Sequence, residues 1–153
     1  MFEFVQSVRF EDSRAIGTAH VPADLALLAD HFPGVPVLPG SLQIELCAQI
    51  AGPLAEQAVA ARHGLERWAF LAMVRHAAFQ TVATLPIDLT LTAELRRVET
   101  ATVVVAVAAV AASRGDEPVC RAELVMAMRE AEAAWAQAIA GARARVAAWK
   151  ASA

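Results

Sequence analysis

From Ser41 the chain reads SLQIELCAQIAGPLAEQAVAARHG, a long helical pattern that is apolar on nearly every side. Such a helix is stable only where other parts of the chain bury it. Gly64 marks its end, behind Arg62 and His63: glycine takes the left-handed turn there, and cations suit the negative end of the helix dipole. Gly52-Pro53 predicts a bend or a loosened middle. The wrapping must come from strands that are apolar on one face. In Ile87 to Arg96, the residues Ile87, Leu89, Leu91, Ala93 and Leu95 alternate with Asp88, Thr90, Thr92, Glu94 and Arg96, the period-two pattern of a sheet with one wet face. Val119 to Met128 repeats it, with Cys120, Ala122, Leu124, Met126 and Met128 inward and Arg121 and Glu123 outward.

The other elements are read in the same way. The apolar run Ala101 to Ala112 is shorter than the roughly 20 residues of a membrane-spanning helix and reads as a buried strand. Phe2 to Phe10 and Arg14 to Val21, across Glu11-Asp12-Ser13, read as a hairpin. Trp68 to Phe79 is a further strand, and Pro86 marks the start of the next. The expected order is two strands, one long helix, then four strands running as an antiparallel meander, an α+β domain. Arg129 to Lys150 reads as a second helix with Trp135, Ile139, Val146 and Trp149 on one stripe. That stripe either packs on the chain's own sheet or a dimer mate, or docks another protein. The organisation expected is one domain over 1–128 and a helical extension over 129–153, since 153 residues suffice for a single core.

Composition excludes some classes of function. A net charge of −3 argues against nucleic acid, which needs clustered Lys and Arg. The N-terminus MFEFVQSVRFEDSR lacks the basic start and apolar stretch of a secretory signal. Cys47 and Cys120 lie in apolar segments, which suits a reducing cytoplasm. His20, His63 and His76 are too scattered for a metal site, and no phosphate loop or dinucleotide fingerprint occurs. A Cys47 nucleophile would lie mid-helix without a basic neighbour, so an inert core thiol is the simpler reading.

Chemistry concentrates in one span. Ser41, Glu45 and Gln49 recur at every fourth residue, a polar stripe on an otherwise apolar rod. A buried carboxylate must be paired, protonated or facing a ligand cavity; bonding between Glu45 and Gln49 alone is one way to meet that need. His31 opens the loop HFPGVPVLPG, which Pro33, Pro36 and Pro39 stiffen and which delivers the chain to the start of the same helix. The histidine, the glycine-bearing turn, the helix N-terminus and the acid thus share one short span.

That span, HFPGVPVLPGSLQIELCAQIAG, resembles the active-site motif of the FabZ/FabA type 3-hydroxyacyl-[acyl carrier protein] dehydratases, with His31, Phe32, Pro33, Gly34, Pro36, Pro39, Gly40, Glu45, Ala48 and Gln49 all matching. The resemblance extends loosely from Phe2 to Met128. It implies a hot-dog fold, in which a curved antiparallel sheet wraps the long helix. It also implies a dimer joined sheet edge to sheet edge, or a higher oligomer of such dimers, with His31 of one chain meeting Glu45 of the other. The reaction implied is loss of water from a 3-hydroxyacyl thioester to give the trans-2-enoyl thioester, a lyase step of fatty-acid, polyketide or aryl-polyene synthesis. His31 then serves as base and Glu45 as acid. Backbone N–H groups at Gly40 and Ser41 stabilise the enolate oxygen, and Gln49 orients Glu45. Phe32, Pro33, Val37, Leu38 and Phe79 line the tunnel. No cofactor is implied, because the substrate rides on the phosphopantetheine of acyl carrier protein, and Arg75, Arg96 and Arg97 are candidates to meet that carrier.

The chain also departs from the family pattern. It has no tyrosine, Asp30 stands where a glycine usually precedes the histidine, and Gln80-Thr81-Val82 replaces an arginine-rich stretch. These departures point to a specialised member. A hot-dog thioesterase is the second enzyme reading, and a non-catalytic hot-dog subunit paired with an active dehydratase is the third.

Overall fold

The computed structural model describes residues 3–25, 28 and 33–153, so Asp30, His31 and Phe32 lie outside the described residues. Strands β1 (Val5–Phe10) and β2 (Arg14–Val21) form the expected hairpin, with one register shift near Val5. Helix α1 (Gly40–His63) follows, then β3 (Trp68–Phe79), β4 (Ile87–Val98), β5 (Thr102–Ala111), β6 (Pro118–Arg129) and helix α2 (Ala136–Ala151). All six strands join one antiparallel sheet in the order β1-β2-β4-β5-β6-β3. It is a hot-dog fold: the sheet curves round α1, and α2 is an added C-terminal helix.

The alternating residues face as their pattern requires. Leu89, Leu91 and Ala93 of β4, and Cys120, Leu124 and Met126 of β6, are buried against α1 side chains such as Leu46, Ile50 and Leu54. Gly64 closes α1 at φ 66, with its N–H donating to the Ala60 carbonyl.

Three expectations are corrected. The last four strands are not a simple meander. Only β4, β5 and β6 follow one another, whereas β3 pairs with β6 at the sheet edge, because pairing partners are set by long-range packing that periodicity does not encode. Helix α1 runs unbroken through Gly52-Pro53; Pro53 removes one N–H donor, and the surrounding core holds the helix in register. The C-terminal helix begins at Ala136 rather than Arg129, since β6 extends through Arg129. Its stripe is as anticipated: Ile139 and Trp149 are buried, Trp135 and Val146 partly so, and α2 packs against β1 of its own chain. No described helix is long and apolar enough to cross a membrane.

Candidate active site

The start of α1 is held by the end of the proline-rich loop. The Leu38 N–H donates to the Ala83 carbonyl (2.8 Å) and the Leu85 N–H to the Pro36 carbonyl (2.9 Å), strapping the loop to the segment that leads into β4. Pro39 precedes the helix without any side-chain cap. The Leu42 and Gln43 N–H groups both donate to its carbonyl, at 3.0 and 3.1 Å. The N–H groups of Gly40 and Ser41 precede these first helical bonds, at the positive end of the helix dipole.

Beside them lies a cleft of 630 Å³ lined by Val37, Leu38, Gly40, Ser41, Phe79 and Val82, among others. Five of the anticipated site residues therefore meet in one place. Pro33 is exposed and not part of that lining, and the Leu38 side chain is turned into the core, 1% exposed. A Cβ at Gly40 would lie 2.7 Å from Cζ of Phe79, so the missing side chain admits the Phe79 ring against the helix start. Any larger residue would push the ring off the helix start.

Glu45 is exposed in the single chain, which corrects the expectation of a buried acid. The sheet packs on the inner side of α1, and among the described residues Ser41 and Glu45 of the outward stripe are left exposed. The Gln49 Nε2 amide donates to Glu45 Oε1 at 3.0 Å, the anticipated orienting contact. Gln49 Oε1 is buried and has no partner among the described residues.

The arginines proposed for carrier contact are each engaged by a neighbouring acid: Arg75 with Glu123 (3.2 Å), Arg96 with Glu94 (3.2 Å) and Arg97 with Glu99 (3.5 Å). Arg96 and Arg97 sit at the far end of β4 from Ile87, roughly 30 Å of strand from the cleft at about 3.3 Å per residue.

Sequence reasoning missed the outer half of α1. The stripe of Ser41, Glu45 and Gln49 continues through Pro53 to Glu56 and Gln57, and the same spacing rule could have found it. Here α2 lies over α1, and between them is a cleft of 340 Å³ floored by Ala48, Gly52, Ala69 and Met126 and walled by Trp68, Val146 and Trp149. Glu56 lines it, its Oε1 accepting the Ala69 N–H at 3.1 Å. Burial pushes its carboxyl up to about 7, against the opposing pull of that N–H and of Arg143. Cys47 is fully buried, and burial, with Cys120 beside it, pushes its thiol far above the thiolate range, which leaves an inert core sulfur. Among the described residues no three His, Cys, Asp or Glu side chains converge as a metal site would require.

The ApeI-like dehydratase family model matches residues 7–101, well over half of the sequence. The chain belongs to the ApeI-like dehydratase family. No curated protein matches it significantly. Among solved structures it is similar to the dehydratase heterocomplex ApeI:P from Xenorhabdus doucetiae, with a TM-score of 0.64 and 16% identity over 89% of this chain and 88% of that one. It is likewise similar to smu.793 from Streptococcus mutans UA159 bound to acetyl CoA (TM-score 0.64, 22% identity, 85% and 94% covered). A mutant of the thioesterase PA1618 from Pseudomonas aeruginosa also matches (TM-score 0.62, 15% identity, 82% and 81% covered). These likenesses show the hot-dog fold; the matched segment of the ApeI-like model spans β2, α1, β3 and β4 and stops before β5, β6 and α2.

Proposed function

We propose that the chain dehydrates a 3-hydroxyacyl thioester carried on the phosphopantetheine of an acyl carrier protein. His31 is the base and Glu45 the acid. The observation that carries this reading is Glu45, held by Gln49 on the outward stripe of α1, one turn beyond the N–H groups of Gly40 and Ser41 at the helix start. The base takes a proton from the carbon beside the thioester carbonyl. Glu45 gives a proton to the departing 3-hydroxyl, water leaves, and the electron pair closes the 2,3 double bond. The charge that builds on the thioester oxygen is met by backbone N–H donors at the helix start.

The site is shared between two copies or two related chains. Strand β3 is an edge strand whose outer rim is unpaired, and it exposes Phe70, Leu71, Met73 and Val74, a surface that in a lone chain would invite strand addition. Pairing there would bring a second chain towards the uncovered Glu45 and give its carboxyl the dry surroundings an acid needs. The partner is a second copy or another hot-dog protein; the similar ApeI:P structure is a heterocomplex.

Mass spectrometry of the purified protein with a 3-hydroxyacyl carrier protein should show the 2-enoyl product, and His31→Ala or Glu45→Gln should lower the rate about 100-fold or more. Full activity in both variants would end this assignment. Free thiol without enoyl product would favour the thioesterase reading, which the likeness to a thioesterase of the same fold keeps in play.

A further inference from the structure

The cleft under α2 begins where the candidate acid site ends. Gln49 belongs to both: its Nε2 holds Glu45, and its side chain lines the cleft. From Gln49 the cleft follows α1 past Gly52 to Glu56, seven residues or about 10 Å at the helical rise. Its volume of 340 Å³ lies within the roughly 300–1,000 Å³ usual for ligand pockets.

The lining suits an apolar occupant. Ala48, Gly52, Ala69, Met126, Val146, Trp68 and Trp149 supply the floor and walls. Arg143 reaches Glu66 at 3.8 Å and also acts on the Glu56 carboxyl in the cleft, while the Lys150 ammonium lies 5.0 Å over the Phe10 ring, so Lys150 offers the cleft its methylene stem. The Glu56 oxygen is tied to the Ala69 N–H. Gly52 is what keeps the floor low, because a Cβ there would already reach ordinary contact with Ala69 and Met126 at 3.8 Å, leaving any longer side chain to project into the space.

We infer that the α1–α2 cleft is the distal compartment of the substrate site, taking the far end of a medium-length acyl chain whose reacting carbons lie at Glu45. Helix α2, which lies beyond the segment the family model matches, is then the element that sets the preferred chain length. This inference rests on the dehydratase reading for the placement of the reacting carbons, but the cleft's affinity for an acyl chain can be measured without turnover.

The probes are N-acetylcysteamine thioesters of dodecanoic and butyric acid, read by quenching of tryptophan emission, since Trp68 and Trp149 line the cleft. The dodecanoyl probe should bind the wild type at least tenfold more tightly than the butyryl probe. Gly52→Leu, which fills the floor, and Ala142→Leu, which fills the roof, should each weaken dodecanoyl binding tenfold or more. The same variants should lower the ratio of kcat/KM for the 3-hydroxydodecanoyl over the 3-hydroxybutyryl thioester by a similar factor. Should Gly52→Leu fail to fold by circular dichroism, Ala142→Leu decides. Equal affinity for the two probes in the wild type, or dodecanoyl binding within twofold of wild type in a folded variant, overturns the inference. A wild type that binds dodecanoyl tightly and turns over neither hydroxyacyl thioester removes the dehydratase reading while the cleft stands as an acyl site.

Discussion

The two ends of helix α1 carry the same polar stripe and lead opposite lives. At Ser41 and Glu45 the stripe is exposed. Around Gly52, Glu56 and Gln57 it is roofed by α2, and Glu56 is partly buried with its carboxyl pushed up to about 7. Two glutamates eleven residues apart on one helix thus differ because of what lies above them rather than because of their neighbours in sequence. The open end is exposed in the single chain; the roofed end keeps a cleft between the two helices.

The largest effect expected of any variant separates the two acids outright. Glu45→Gln should cost about 100- to 10,000-fold in dehydration rate if it is the proton donor while leaving the unfolding midpoint in place; a comparable loss of rate in Glu56→Gln would collapse the distinction between the ends. Next in size, Trp149→Ala should remove the anchor of α2, which is only 6% exposed, and lower stability by about 3 kcal/mol in urea unfolding, with the loss of long-chain selectivity following from it.

Glu56 tests the roofed end through pH. Its carboxyl titrates at about 7 in the folded chain and near the usual 4.5 unfolded, so the native state binds more protons between those values. The stabilising effect of its protonation is therefore complete below about pH 4.5 and is lost as pH rises through 7. Urea midpoints at pH 5 and 8 should show the wild type losing up to about 3 kcal/mol more than Glu56→Gln over that range; parallel pH profiles would show that α2 does not bury the group. Smallest of all, Gln49→Ala deletes one hydrogen bond to Glu45, worth about 1 kcal/mol, and should lower kcat three- to tenfold. It should also shift the high-pH limb of the pH–rate profile, the limb a proton donor sets, which a purely structural role would leave unmoved.

Much of the architecture was legible locally. The alternation in Ile87 to Arg96 named the buried face of β4 residue by residue through Ala93, and the Trp135, Ile139 and Trp149 stripe named the face of α2 that packs, because side-chain period follows directly from backbone geometry. The site was legible for a different reason. The prolines and glycines between His31 and Gly40 leave the backbone few conformations, so residue order there comes close to dictating shape. Strand β3 was legible as a strand and not as an edge: its apolar residues look like core, yet Phe70, Leu71, Met73 and Val74 are exposed, and only the pairing order reveals it.

What the sequence by itself determined is the set of elements, their inward faces, the broad hot-dog dehydratase family and the short span in which the candidate chemistry lies, since each depends on residues near one another along the chain. The tertiary structure alone decided that β3 takes the sheet edge beside β6, that the Phe79 ring sits over Gly40, and that α2 roofs one end of α1 and leaves Glu45 exposed. These are contacts between residues far apart in sequence, set by the packing of whole surfaces against one another, and no local pattern of residues records them.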